Sequence, residues 1–227
     1  MIVSIHQPNY LPWLGFFYKM AKSDVFVILT QAQHSKSTYT HRNRIKTKEG
    51  VKWLTIPLTN KETMISGLQP DYKQKWQRKH WNMIEQAYRK APYWKEYSPI
   101  LKGLYESAPT SMANFNIKLI FWLKGVLDIN TPIRFDSLMN IGGVSGNQRN
   151  LEICKALNAD IYLSGTGAKS YNDANAFKRD GIDLVYSDFK HPAYTQLWGD
   201  FISNMSIIDL LMNEGGGSMD ILMGSNK

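Results

Sequence analysis

Apolar residues along this chain fall into short continuous runs, separated by stretches in which they recur at helical spacing. Residues 2–6 are one such run, and Gln7-Pro8-Asn9 ends it, since Pro8 lacks a ladder donor and Asn9 favours a turn. Pro12 suits the first turn of a helix, where a missing N–H costs nothing. Trp13, Phe16, Phe17 and Met20 then repeat at helical spacing until Ser23-Asp24. Residues 25–29 are a second run, almost wholly apolar, of the kind buried on both faces of a sheet. Strand, loop, helix and strand in this order predict a βαβ unit with two adjacent parallel strands.

The pattern then changes. Residues 39–46 and 51–58 read as strands joined by Thr47-Lys48-Glu49-Gly50, a hairpin turn with glycine where a positive φ is needed. Residues 59–72 read as a mobile polar connector beside the site. Helices are predicted over 73–90, 93–106 and 111–127, the last apolar nearly all round and so central. Residues 72–127 therefore read as a helical insert between strands. Strand 132–137, a glycine-rich turn at 142–147, helix 148–157, strand 161–163, helix 173–179 and strand 182–186 restore the α/β alternation. A helix over 206–213 has Ser206 as its N-cap and Asp209 in its first turn. Gly215-Gly216-Gly217 should end it and leave a frayed tail. The whole reads as a single α/β domain over residues 1–227: a mostly parallel, Rossmann-like sheet with an edge β-hairpin and the helical insert.

Composition narrows the function classes. A 227-residue chain with 43% apolar residues can fill one large core. No apolar run is long enough to span a membrane, and no leader pattern opens the chain, so the expected compartment is the cytoplasm. A single cysteine, Cys154, excludes an intrachain disulfide and a cysteine metal cage. No histidine or carboxylate spacing points to a metal, and no cofactor is indicated. The net charge of +8 favours anionic partners. The cations are scattered and no nucleic-acid-binding motif is present, so an anionic small molecule fits better than nucleic acid.

Candidate chemistry sits where strands end. The loop after the first strand carries His6, Gln7, Asn9, Tyr10 and Trp13, and ligands of open α/β sheets bind at that edge. The competing assignment is a helix-capping loop whose aromatics fill core. In the hairpin, alternation places Arg42, Arg44 and Lys46 on one face and Asn43 on the other. That face is either an anion platform or a solvated edge protected by its charges. The 142–147 turn lacks the Gly-Lys-Ser/Thr ending of a nucleotide-binding P-loop, and a plain loop suffices there. Ser164-Gly165-Thr166-Gly167-Ala168-Lys169-Ser170-Tyr171 leaves another strand end with two glycines, hydroxyls and a lysine, a pocket suited to phosphate or carboxylate. His191, on a later polar loop, is with His6 the candidate acid or base, imidazole being the side chain that titrates near neutral pH.

Several of these stretches carry a resemblance. HQPNYLPWLGFFYK resembles the opening signature of the WbqC-like family, bacterial proteins often encoded in O-antigen loci. HSKSTYTHRNRIKTKEGVKWLTIPL, KAPYWKEY, ICKALNADIYLSGTGAKSY and HPAYTQLWGDFISNMSIIDLLMNEG resemble its later blocks, so the likeness runs from Ile2 to about Gly215. The context it implies is surface-polysaccharide synthesis. The function expected is then an enzyme, a transferase on a nucleotide-linked sugar or its amino or acyl substituent. Arg42, Arg44 and Lys169 would hold its anionic groups and Tyr10 and Trp13 would stack on its base or sugar, with Gln7, Asn9, Asn43, Ser164, Gly165 and Tyr171 as further substrate-binding residues. The alternative is a non-catalytic binding or scaffold protein of the same pathway.

Overall fold

A computed structural model describes residues 1–35, 38–60, 63–107, 109, 111–170 and 172–224. Strands β1 (Ile2–His6), β2 (Val25–Ile28), β5 (Ile133–Phe135), β6 (Ile161–Ser164) and β7 (Asp183–Tyr186) form one sheet, all parallel, in the order β5-β2-β1-β6-β7. Helix α1 (Leu14–Ala21) joins β1 to β2 as the opening pattern predicts. The antiparallel hairpin is present as β3 (Arg42–Thr47) and β4 (Gly50–Thr55), which pair with each other as a separate two-stranded sheet. Between β4 and β5 lie α2 (Trp76–Tyr88), α3 (Trp94–Glu106) and α4 (Met112–Val126). Helices α5 (Gly146–Ala156) and α6 (Ala174–Arg179) connect the later strands, and α7 (Ile207–Glu214) and α8 (Ser218–Met223) follow β7.

Alternation along the central strands separates two cores. Val3 and Ile5 pack with Val27, Leu151, Ile153, Cys154 and Phe177 on one face, where α5 and α6 lie. Phe26 and Ile28 point to the other face and join Phe16, Phe17 and the cores of the three helices in one cluster that reaches α7. Burial of so much aliphatic and aromatic surface is the main driving force, at about 1.5–3 kcal/mol per large side chain.

Two segments depart from the pattern-based expectation. The 59–72 connector is packed rather than mobile in its described part. Ile65 and Leu68 are fully buried, and isolated bridges pair Gln33 with Met64 and Leu58 with Pro70. Beyond the glycine triplet the chain is not frayed but forms α8, held by buried Leu222 and Ser218. At six residues it is too short for a helical periodicity to show from sequence. Gly215 allows the turn: its φ is +55°, and a Cβ there would lie 2.2 Å from the Tyr93 ring. No helix among the described residues is long and apolar enough to cross a membrane.

Candidate functional site

The strand order creates a topological switch point. From β1 the chain moves outward through β2 to β5, then returns to the opposite side of β1 with β6 and β7. The loops after β1 and β6 therefore diverge over opposite faces and leave a crevice between them, the usual ligand position in open parallel sheets. Here that crevice is a cavity of about 380 Å³, within the range of small-molecule sites. Its lining draws on both loops: His6, Gln7 and Trp13 from the first, residues 164–168 from the second, with Lys19 of α1, Asn150 of α5 and Phe189.

His6 closes β1, half-buried, its ring edge-on to Phe16. Its Nδ1 lies 3.0 Å from the Gln7 carbonyl, which can only accept, so Nδ1 carries the hydrogen and Nε2 is the basic nitrogen. Burial, reinforced by the nearby Lys19 charge, pushes the imidazole down to about 3. The ring is neutral at physiological pH, which leaves Nε2 a hydrogen-bond acceptor and excludes a resting acid.

Lys19 is the residue that pattern reading missed. It is 3% exposed, and its Nζ donates to the Ile5 carbonyl at 3.0 Å, tying α1 to the end of β1. Among the described residues no carboxylate comes within salt-bridge distance of it. Burial without a counter-charge pushes its ammonium down to about 7. The signal was available: Lys19 lies three residues after Phe16 and beside Met20, on the apolar stripe of α1, where a solvated lysine has no place.

Two glycines of the second loop have no structural need to be glycine. Gly165 and Gly167 have ordinary φ, and a Cβ built on either meets nothing within 4 Å. The space above them is open on the cavity side, so bare backbone is available for close approach by a ligand. Gly15 is different, since a Cβ there would lie 2.2 Å from the Trp13 ring. The indole covers the helix at that point and meets Phe189 edge-on at 5.5 Å. Gly15→Ala would ordinarily stabilise a helix by up to about 1 kcal/mol. Here it should destabilise by about 1–3 kcal/mol through overpacking and move Trp13 out of the cleft. Thermal melting with tryptophan fluorescence reads both effects, and a raised melting temperature with unchanged emission would contradict the packing.

The other sequence-derived candidates lie elsewhere. Asn9 and Tyr10 are buried. The Tyr10 hydroxyl meets the Tyr105 hydroxyl and, at 2.9 Å, His80 Nδ1. His80 Nε2 faces the Thr55 carbonyl at 3.2 Å, so it donates there and Nδ1 accepts from Tyr10. Asn43 is buried, its amide donating to the carbonyl of Leu11 at 2.5 Å and, more weakly, to that of Tyr10 at 3.4 Å. It fixes the opening loop rather than facing the cavity. Arg42 and Arg44 set their guanidinium groups 4.5 and 5.5 Å from the Trp53 ring, on the hairpin and outside the cavity lining. Lys46, expected beside them, is instead buried and donates to the carbonyls of Gly199 and Asp200. His191 donates through Nδ1 to the Pro192 carbonyl and accepts at Nε2 from the Asn204 N–H, so both its nitrogens hold a loop. Ser164 lines the cavity with its Oγ accepting from Asn172. Lys169 follows Ala168, the last lining residue of this loop, with its ammonium 5.2 Å from the Tyr186 ring. Tyr171 lies outside the described residues.

The buried histidines make stability acid-sensitive. His80, like His6, is held down by burial, to about 4. In the unfolded chain both rings take protons near pH 6.5. Their folded pKa values are depressed, so the native state is fully favoured above about 6.5 and loses stability as pH falls towards 4. The slope is up to about 1.4 kcal/mol per pH unit for each ring. Urea unfolding followed from neutral pH downward should show that decline, and a flat profile to about pH 4.5 would mean both rings are charged in the native state.

A sequence model of the WbqC-like protein family matches residues 7–221. The chain is 33% identical over 231 aligned positions to the uncharacterized protein Rv1507c of Mycobacterium tuberculosis, covering 97% of this chain and 96% of that protein. No solved structure matches it significantly.

Proposed function

The chain belongs to the WbqC-like protein family, and from that premise we propose that it is a cytoplasmic enzyme of surface-polysaccharide synthesis, a transferase acting on a nucleotide-linked or phosphorylated sugar or its amino or acyl substituent. The observation that carries the reading is the switch-point cavity in which His6, Lys19 and the bare backbone of Gly165 and Gly167 meet. Neutral His6 Nε2 would take the proton of the attacking group, an effect worth on the order of 10²–10⁴-fold. The 165–167 backbone would face the anionic group, while Trp13 would stack on a base or sugar and Gln7 would orient it. Lys169, one residue beyond the cavity lining, would add a cation at its mouth.

Native mass spectrometry of freshly purified protein, followed by turnover assays with nucleotide sugars and sugar phosphates, tests this. Retention or turnover of such a compound is the expected result. Failure of every nucleotide, nucleotide sugar and sugar phosphate to bind would overturn it.

One observation favours the second reading, a non-catalytic scaffold of the same pathway. Trp53 and Tyr39 are 42% and 41% exposed and lie beside Arg42 and Arg44, a surface suited to an anionic partner.

A further inference from the structure

We propose that Lys19 is a covalent amine nucleophile, and that the cavity takes a substrate with an aldehyde or ketone, which Lys19 captures as an imine. The inference deepens the reading above and rests on it for the anionic handle of that substrate.

The amine is placed as such a nucleophile must be. Its side chain is buried in the body of α1, and it borders the cavity to which both strand-end loops contribute. The Ile5 carbonyl is its hydrogen-bond partner, and the floor beside it is apolar, with the Phe26 ring centroid 6.0 Å from Nζ. A lysine whose task was to tie α1 to β1 would not need to border a cavity. A lysine whose task was to hold a permanent positive charge would be badly served by this floor. Desolvation of this kind is a general route to a nucleophilic amine. The depressed proton affinity of Lys19, down to about 7, agrees with that geometry.

The chemistry balances without any further reagent. The Nζ lone pair forms the bond to the carbonyl carbon as the C=O π pair moves to oxygen. His6 Nε2 relays one Nζ proton to that oxygen, giving a carbinolamine. The remaining Nζ proton reaches the hydroxyl by the same relay, the C–O bond breaks, and water leaves as C=N forms. Nothing is oxidised or reduced. The imine is reversible by hydrolysis, whereas an acyl group captured on Lys19 would give an inert amide. This is why a carbonyl compound, and not an acyl donor, is the class assigned to the nucleophile.

The test uses glyceraldehyde 3-phosphate as the carbonyl probe, with cyanoborohydride to reduce any imine, and glycerol 3-phosphate as the unreactive control. Peptide mapping of the whole chain near pH 7.5 should find the reduced adduct on Lys19. It should form there at least on the order of ten times faster than on exposed lysines, which are almost wholly protonated at that pH. Lys19→Arg should abolish the adduct while circular dichroism shows a folded protein, and His6→Gln should slow it. If glycerol 3-phosphate binds but label falls on the lysines in proportion to their exposure, the imine is overturned and the anionic-ligand reading stands. If Lys19 is labelled selectively while glycerol 3-phosphate fails to bind, the imine stands and the anionic handle is lost. No binding and no selective label would overturn both.

Discussion

His6→Gln should lower turnover by on the order of 10²–10⁴-fold and leave the melting temperature and ligand affinity nearly unchanged. The expectation follows from three features taken together. The ring is half-buried at the cavity wall, Nδ1 is committed to the Gln7 carbonyl, and the remaining nitrogen is unprotonated with its lone pair available. Glutamine keeps a polar side chain of similar length that can still donate to the Gln7 carbonyl, but it cannot accept a proton. Its packing against Phe16 changes little, so the fold should tolerate it. A structural histidine would behave in the opposite way, with a lowered melting temperature and an unchanged rate per folded molecule. A histidine that only held ligand would weaken binding in step with rate. Measuring melting, affinity and turnover on this one variant separates the three roles, and an unchanged rate would remove His6 from the chemistry.

The opening βαβ unit was far more legible in the sequence than the site. Apolar runs of strand length and the helical stripe of Trp13, Phe16, Phe17 and Met20 are backbone-periodic signals, and they gave the opening βαβ unit with its parallel pairing. Residue type alone could not divide the opening loop. Gln7 and Asn9 are both amides and Tyr10 and Trp13 both aromatics, yet Gln7 and Trp13 border the cavity while Asn9 and Tyr10 are buried. What decides is which way each turn of a non-repetitive loop faces, and no period reports that. Tyr10 finds its partners, His80 and Tyr105, at 70 and 95 residues' separation. The same long-range satisfaction turned Lys46 from an exposed cation into a buried tie, because the carbonyls of Gly199 and Asp200 fold over it. Lys19 carried a signal in its place on the apolar stripe of α1, but a lysine there can also snorkel to solvent, so the stripe alone does not decide its burial.

Asp209 shows how much of the fold rests on such distant polar pairing, and its replacement should give the largest loss of stability. The residue was legible as a favourable carboxylate in the first turn of α7, behind the Ser206 cap whose Oγ accepts from the Ile208 N–H. It is in fact 1% exposed, and it accepts from the Tyr88 and Tyr194 hydroxyls at 2.8 and 2.9 Å and from the Gln196 amide at 2.7 Å. Tyr88 ends α2 and is itself fully buried, so the carboxylate joins α2, α7 and the 194–196 segment at one point. Asp209→Ala would take the acceptor from the Tyr88 and Tyr194 hydroxyls and one of the acceptors from the Gln196 amide, which keeps the Ile202 carbonyl at 3.0 Å. Each orphaned donor costs about 1–3 kcal/mol, and losing one partner of a buried charged network costs about 3–5 kcal/mol. We expect a loss of about 4 kcal/mol, or roughly 8–16 °C in melting temperature for a chain of this size. Asp209→Asn keeps one acceptor oxygen and nearly the same volume, so it should lose about half as much. If Asp209→Ala melts within a couple of degrees of the native chain, water must already satisfy these donors. The three hydroxyl and amide groups would then contribute little to holding α7 against α2.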